Sequence, residues 1–254
     1  MNELKAKAKR LGFRAMVAHW EEYGGQAWVP RLLEEEEAEK GRRSLERRIK
    51  EAKIGHFKMI TDFDWAWPKR IDRELVEEVF ALKFLEEAAN VIFMGPNGVG
   101  KTMFAQNLAY QALLHGSDAR FIKASQLLTE LSSCDGAHAR SRCLRRYSSA
   151  DLLVIDEVGY LSYDNRYADL LYEVITGRYQ KLSTVLTTNR PFTEWGQIFP
   201  NAPCVVTLVD RLMHKAEVVL IDGDSYRTKE AKERAATREK VRKEKRAKPQ
   251  AKSE

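Results

Sequence analysis

Eight residues from Gly95 to Thr102, GPNGVGKT, have the types and spacing of a phosphate-binding loop. The glycines allow a tight turn that brings backbone N–H groups close to phosphate oxygens. Lys101 would place a positive charge on the β- and γ-phosphates, and the Thr102 hydroxyl would ligate Mg²⁺. The pattern predicts a nucleotide site formed by Gly95, Pro96, Asn97, Gly98, Val99, Gly100, Lys101, Thr102 and Met103.

The residues on either side of this loop fit the elements that such a loop needs. Residues 91–94 (VIFM) are apolar and predict a short buried strand. Residues 103–114 are helix-forming, so the N-terminus of this helix would direct its positive dipole end at a bound anion. A glycine-rich turn that matches the motif by chance is the alternative, and the flanking strand and helix argue against it.

An acidic pair ends a second apolar run. Residues 151–155 (DLLVI) lead directly into Asp156 and Glu157, which describes a buried parallel strand. Ligands of doubly wound sheets bind at the carboxyl ends of such strands. Asp156 would hold Mg²⁺ through water, and Glu157 would polarise the water that attacks the γ-phosphate. An apolar run that ends in Asp-Glu is common, but this one lies beyond another strand and 55 residues after Lys101, which makes the assignment specific.

Three more polar residues are candidates for this chemistry. Asn189 follows a β-branched strand at residues 183–187, and its amide would orient the attacking water or sense the γ-phosphate. The alternative is that Asn189 is a turn residue before an Arg-Pro pair. Arg211 and Arg227 are candidates for contacts to the γ-phosphate from a neighbouring subunit and from the same subunit, although isolated arginines are surface residues by default.

The composition is that of a globular chain in a reducing compartment. The 254 residues are 44% hydrophobic and 31% charged, enough for one sizeable core and an appendage. No apolar run approaches the length of a membrane span, and the N-terminus lacks a signal-peptide core. Three cysteines without a C-x-x-C pair argue against disulfides or zinc. We therefore expect a cytoplasmic protein without a membrane partner.

The positive charge is concentrated toward the C-terminus. The formal net charge is +6, and residues 227–254 hold 12 Lys and Arg against 5 Asp and Glu. This distribution favours a polyanionic partner such as double-stranded DNA. Further basic residues lie on predicted helices, where a solvated helix face is the alternative to a DNA contact. The candidates are Lys5, Lys9, Arg10, Arg14, Arg42, Arg43, Arg47, Arg48, Arg140 and Arg142.

The chain divides by composition into three parts. Residues 1–62 form a small helical domain for DNA or a partner, with a helix bent near Gly12. Residues 63–228 form the nucleotide-binding domain, and residues 229–254 are a basic tail with too few apolar residues for a packed lid. At the first boundary lie Phe63 and Trp65, either of which would pack against adenine or simply belong to the core. The fold class is α/β, a parallel sheet flanked by helices.

Several stretches together resemble the AAA+ ATPases, and more narrowly the IstB-type transposition helper ATPases, which are similar to the helicase loader DnaC. The resemblance runs from about Arg42 to Arg227. Its most specific part is the order of the stretches after the phosphate loop. The matching stretches are ERRIKEAKIGHFKMITDFDW, GPNGVGKT, LLVIDEVGYL, LTTNRPFTEW, LVDRLMH and DGDSYR.

The resemblance implies a role for each candidate. Asn189 matches the first sensor, Arg211 the arginine finger and Arg227 the second sensor arginine, with ATP and Mg²⁺ as ligands. It also implies that the strand at residues 183–187 lies between the phosphate-loop strand and the Asp156 strand. Relatives bind double-stranded DNA, form homo-oligomers with ATP at subunit interfaces and act with a transposase. The sequence departs from AAA+ proteins that carry a full C-terminal lid, which concerns the placement of Arg227.

Three other functions stay open from the sequence. A replicative helicase loader would use the same site for a different client. A P-loop kinase would transfer the phosphate to a small molecule, but we see no sequence for an acceptor pocket or lid. A DNA-coating protein without enzymatic activity would have no use for the paired Asp156 and Glu157.

Overall fold

The computed structural model describes residues 2–160, 165–199 and 203–247. Its contacts divide the chain into two compact units, Met1–Glu51 and Ala52–Glu254. Residues 52–62, which the sequence assigned to the N-terminal domain, fall in the second unit. There the side chain of Asn107 accepts a hydrogen bond from Ile60 N at 2.9 Å, and Gln106 Nε2 donates to Ile54 O at 3.0 Å. As a functional boundary, residue 62 stays a prediction.

The first unit is helical and has a small core. The predicted bend is confirmed, since the first two helices meet at Gly12, whose φ is +87°. The core residues are Ala8, Leu11, Met16, Trp20, Val29 and Leu33. The helices are α1 (Asn2–Leu11), α2 (Arg14–Ala18), α3 (Trp20–Tyr23) and α4 (Val29–Ala52).

The second unit alternates strands with helices. The strands are β1 (Arg70–Ile71), β2 (Asn90–Met94), β3 (Ala119–Lys123), β4 (Leu152–Val158), β5 (Ser183–Thr188) and β6 (Ala216–Asp222). The helices are α5 (Arg73–Phe80), α6 (Lys83–Glu86), α7 (Lys101–Leu114), α8 (Ala124–Ser132), α9 (Ala137–Ser148), α10 (Asn165–Arg178), α11 (Trp195–Ile198), α12 (Cys204–Met213) and α13 (Tyr226–Ala247). Within the described ranges, no helix is both long and apolar enough to span a bilayer.

The described strands form one sheet in the order β1-β6-β2-β5-β4-β3. All neighbours pair in parallel except β1 and β6. The expected position of the strand at residues 183–187, between β2 and β4, is confirmed. Because the carboxyl ends of parallel strands meet at one edge, the ends of β2, β4 and β5 form a common surface beside the phosphate loop.

Two local conformations set the bounds of the shorter helices. The residues between 71 and 85 form two helices, α5 and α6, because Leu82 adopts a left-handed conformation with φ +63°. Helix α8 begins at Ala124, directly after β3, so Ser125 lies within its first turn.

A buried arginine anchors the strands that carry the site. The Arg178 side chain is 1% exposed, and burial lowers its pKa to about 9. Its guanidinium donates to carbonyl oxygens at the end of α9 and beside the starts of β4 and β5, as well as to a β5 hydroxyl. The acceptors are the carbonyls of Tyr147, Ala150, Asp151 and Ser183 and the hydroxyl of Thr184. Arg178 therefore satisfies backbone groups at the opposite end of the sheet from the site.

Candidate functional site

The phosphate loop connects β2 to the N-terminus of α7, the 14-residue helix that begins at Lys101. Gly98 and Gly100 have φ of +83° and +105°, a region that side chains disfavour. A Cβ at Gly98 would also lie 2.2 Å from Ser225 Oγ, and Tyr226 N donates to Gly98 O at 2.9 Å. The loop is thus packed against the turn that precedes α13.

Lys101 is enclosed by the loop that it serves. Its side chain is 5% exposed, and Nζ donates to the carbonyl oxygens of Gly95 at 2.8 Å and Pro96 at 2.7 Å. Burial lowers the pKa of Lys101 to about 8, although nearby Asp156 opposes the shift. A phosphate brought against Nζ would favour the charged form and raise this pKa.

Thr102 and Asp156 meet at the edge of the sheet. Thr102 Oγ1 lies 3.0 and 3.2 Å from the two carboxylate oxygens of Asp156, and Thr187 Oγ1 donates to Asp156 Oδ1 at 2.6 Å. Burial raises the pKa of Asp156, while the hydrogen bonds from Thr187 and Thr102 oppose the shift. A hydroxyl and a carboxylate are hard oxygen ligands, and Mg²⁺ bound with substrate phosphates needs only one or two of them. These two residues fit that ion.

A β-bulge sets the direction of Glu157. Ile155 pairs with Leu186 but Val158 pairs with Thr188, so β4 carries one extra residue at this point. Glu157 adopts φ +62°, and its N–H, which the bulge removes from the ladder, donates to Thr187 Oγ1 at 2.9 Å. Bulges re-aim side chains next to active sites.

Thr187 therefore supports both acidic residues, and the sequence analysis did not identify it. The available signal was a pair of threonines at the end of an apolar strand. Lys123 was missed as well. This residue ends β3, and its Nζ lies 2.9 Å from Glu157 Oε2. The Glu157 carboxylate, which the sequence predicts to be the base, is thus paired with a neighbouring ammonium group.

Two cavities flank the loop. One of about 320 Å³ lies beside the loop glycines and is lined by aromatic residues that include Phe63, Trp67 and Tyr226. The other, of about 470 Å³, is lined by Thr102, Asp156, Glu157, Lys123 and other residues. Arg227, an exposed residue in the first turn of α13, lines both.

The aromatic residues at the predicted domain boundary take different positions. The Phe63 ring lines the first cavity and also packs against Phe104, with centroids 4.6 Å apart. The Trp65 ring packs edge-on against Phe63 at 5.0 Å. The adenine and core interpretations are therefore compatible for Phe63. Tyr160 was not predicted at all, and its hydroxyl donates to Asn97 Oδ1 of the loop at 2.6 Å.

Asn189 directly follows β5, beside the strand that carries the loop. Its Oδ1 atom is buried and has no hydrogen-bond partner within the described part of the chain. A buried amide oxygen of this kind is costly unless it accepts a hydrogen bond, as it would from an ordered water molecule. The assignment of Asn189 to water positioning stays a prediction.

Arg211 does not line either cavity. It lies on α12, where Nη1 donates to Thr176 Oγ1 of α10. The structure thus brings Lys101, Thr102, Asp156 and Arg227 together with Glu157 and leaves Arg211 elsewhere in its own subunit. This separation is what a contact from a neighbouring subunit requires.

The predicted DNA-binding residues fall into two groups. On α4, Arg42 pairs with Glu39 and Glu46, and Arg43 pairs with Glu36. Other members with polar partners are Arg10 with Glu37, Arg47 with Glu51, Arg48 with Ser44 and Arg140 with Glu173. Within the described residues, Lys5, Lys9, Arg14 and Arg142 are exposed and have no ion pair.

Relatives of similar length carry insertion-sequence names. The protein of IS5376 from Geobacillus stearothermophilus is 33% identical over 227 residues, which cover 89% of this chain and 90% of the relative. The protein of IS21 from Pseudomonas aeruginosa is 33% identical over 239 residues, covering 91% of this chain and 90% of the relative. Both names describe an inferred ATP-binding protein.

Solved structures show the same fold. The crystal structure of DnaI has a TM-score of 0.52 with 16% identity, covering 64% of this chain and 90% of that one. AMPPCP-bound DnaA from Aquifex aeolicus has a TM-score of 0.50 with 24% identity, covering 65% of this chain and 50% of that one. The second unit accordingly shares the fold of these structures, a mostly parallel sheet flanked by helices.

The chain matches a known protein family over most of its length. The family described as IstB-like ATP binding protein matches residues 5–235, which cover most of both units and every residue of the phosphate loop. The chain therefore belongs to the IstB-like ATP binding protein family.

Proposed function

We propose that this ATP-binding AAA+ protein is a Mg²⁺-dependent ATPase that assembles on double-stranded DNA and assists the transposase of an insertion sequence. The observation that carries the proposal is the contact between the Thr102 hydroxyl and the Asp156 carboxylate at 3.0 Å. It joins the phosphate loop to the acidic strand, with Glu157 as the next residue. A binding protein without hydrolysis has no need of Glu157 at that place.

Different residues bind the phosphates, hold the metal ion and activate the water. The loop N–H groups and Lys101 hold the phosphates, and Mg²⁺ at Thr102 and Asp156 would neutralise charge on the phosphate oxygens. Glu157 accepts the proton of the attacking water as the oxygen bonds to the γ-phosphorus. The bond to the β–γ bridging oxygen breaks, which yields ADP and phosphate. Asn189 orients the water through its buried Oδ1.

Assembly completes the site in this proposal. Arg227 contacts the γ-phosphate from the same subunit, whereas Arg211 reaches it from the neighbouring subunit. Arginine fingers raise the rate by about 10³–10⁵ in the systems where they have been measured. ATP turnover therefore reports whether subunits are packed, and a transposase would use that state for target selection or release.

DNA is the polyanion that the charge distribution favours. The unpaired basic residues of α1 and α2 and the basic helix α13 contact phosphates without reading bases, since no recognition motif is visible. The insertion-sequence names of the relatives support a transposase rather than a helicase as the client. Co-purification with a helicase instead would favour a loader, and phosphate transfer to an acceptor other than water would favour a kinase.

The test is Glu157→Gln, which keeps the shape of the side chain and removes the base. We expect hydrolysis to fall about 10²–10⁴-fold, with ATP and DNA binding retained, so that a long-lived complex accumulates on DNA. Glu173→Gln is the matched control, because Glu173 is an exposed glutamate that pairs with Arg140 away from the cavities. Unchanged turnover in Glu157→Gln would remove this residue from the mechanism.

A further inference from the structure

Residues on one side of α10 and directly after its end hold the guanidinium group of Arg211. Tyr172 and Thr176 lie on α10, and Tyr179 directly follows it, with its N–H donating to Ile175 O at 2.9 Å. The three residues follow each other at intervals of four and three, so they lie on the same side. The Arg211 guanidinium carbon lies 4.8 Å from the Tyr172 ring centroid and 5.5 Å from that of Tyr179. Arg211 Nη1 donates to the Thr176 hydroxyl. Two aromatic rings and one acceptor thus fix the position of this side chain.

His214, which directly follows α12, adds to the same cluster. Its Nδ1 lies 3.3 Å from the Tyr179 hydroxyl, and the two ring centroids are 5.6 Å apart. Arg211 and His214 are three residues apart, so both face Tyr179. The contacts give a physical role to the stretch LVDRLMH beyond the arginine itself.

The cluster leaves most of the guanidinium available. An arginine side chain has five N–H donors, and the bond to Thr176 is the one hydrogen bond that Arg211 makes within the described residues. The side chain is only partly buried. Rings that contact a guanidinium hold it without consuming its donors, so the remaining donors stay free for a phosphate.

We propose that Tyr172, Thr176 and Tyr179 are positioning residues that hold Arg211 ready for the γ-phosphate of ATP bound by a neighbouring copy of this chain. The inference rests on the proposed function, because it assumes that Arg211 acts between subunits. Its physical basis is entropic. A long side chain already held in place loses less freedom when it contacts the phosphate.

Mixed assemblies test this proposal separately from the proposed function. Arg211→Ala subunits keep the acidic pair but supply no guanidinium, whereas Glu157→Gln subunits supply Arg211 but do not hydrolyse ATP. Each variant alone should be nearly inactive, and a mixture on duplex DNA should regain hydrolysis. If the mixture stays inactive, Arg211 does not act between subunits and the proposed function fails at that step.

The positioning residues are then changed only in the Glu157→Gln partner. Tyr172→Leu with Tyr179→Leu keeps apolar packing but removes the rings, and we expect kcat of the mixture to fall roughly three- to tenfold with KM for ATP unchanged. Phe at both positions should restore the rate. Glu173→Gln, on the same helix but paired with Arg140, should have no effect.

A mixture that regains full activity with the Leu variants would overturn the positioning role while leaving Arg211 in place. The same Leu changes added to Arg211→Ala subunits in the mixture should cause no loss, because those subunits have no guanidinium to hold. A loss of equal size there would show that the tyrosines act on structure alone, and would also overturn the proposal.

Discussion

The charged residues of the nucleotide site and those of the N-terminal unit lie in opposite environments. In the site, Lys101 and Asp156 are buried, and each is held by hydrogen bonds from the fold. On α4, Arg42 and Arg47 are exposed and paired with glutamates about one turn away. A buried charge is held in one position by its hydrogen bonds. An exposed charge that is already paired with a neighbour of opposite sign contributes little to binding a further charged group.

Among the predicted variants, Lys101→Ala should have the largest effect on ATP binding. This change removes a buried ammonium group that would contact two phosphates, and hydrogen bonds to charged groups contribute about 1.5–3 kcal/mol. We expect ATP affinity to fall roughly 10- to 100-fold and nucleotide-driven assembly to be lost. Titration with ATP and light scattering measure both effects, with exposed Lys181→Ala as the control. Normal assembly by Lys101→Ala would show that the phosphate-loop assignment is wrong.

Two triple variants in the N-terminal unit should differ in the salt dependence of DNA binding. Lys5→Ala, Lys9→Ala and Arg14→Ala together remove unpaired charges, and each lost phosphate contact reduces the salt slope of DNA binding by about 0.9. We expect the slope of log affinity against log salt to become less steep by about 2 to 3. Arg42→Ala, Arg43→Ala and Arg47→Ala should change it by less than about 1, because glutamates already compensate these arginines.

Binding isotherms at several salt concentrations measure the slopes, and circular dichroism confirms that both triple variants fold. The opposite order would show that the α4 arginines exchange their glutamates for phosphates. A flat salt dependence in the unmodified protein would remove DNA-backbone contacts from the account.

The buried charge of Lys101 predicts a pH dependence that an exposed lysine would lack. Its pKa is about 8 because of burial, and bound phosphate raises it. Affinity for ATP is therefore fully present below pH 8 and falls as pH rises above 8, by up to about tenfold per pH unit. Lys101→Arg stays charged and should flatten the profile. Unchanged affinity between about pH 7 and 9.5 would contradict the buried-ammonium explanation.

Lys123→Met tests a charge whose exposure lies between that of Lys101 and that of the α4 arginines. The pair between Lys123 and Glu157 is partly exposed, so its contribution is about 0.2–1 kcal/mol. Removing the ammonium frees the carboxylate, and we expect ATP hydrolysis without DNA to rise roughly 1.5- to 5-fold. Steady-state assays with and without DNA measure this rise. A lower rate in both conditions would instead indicate that Lys123 orients Glu157 for catalysis.

The positions of the phosphate loop and the acidic pair are easier to predict from the sequence than the partners of surface charges. Lys101, Asp156 and Glu157 each follow a buried strand, and parallel strands place such residues at one edge whatever the connecting loops do. Thr187 and Lys123 were missed because their roles depend on register and on the bulge at Glu157, which no periodicity encodes. The pairing of Arg42 and Arg43 was missed because basic charge was read without its neighbouring glutamates.

The proposed dependence of hydrolysis on assembly is tested most directly by the rate of ATP hydrolysis per subunit as a function of protein concentration, with Mg²⁺ and saturating duplex DNA. If the site is complete only between packed subunits, the rate per subunit should rise steeply through the concentration range in which light scattering detects assembly. Arg211→Ala should stay low throughout that range. A rate per subunit that is the same for single subunits and assemblies would show that the site does not need a neighbouring subunit.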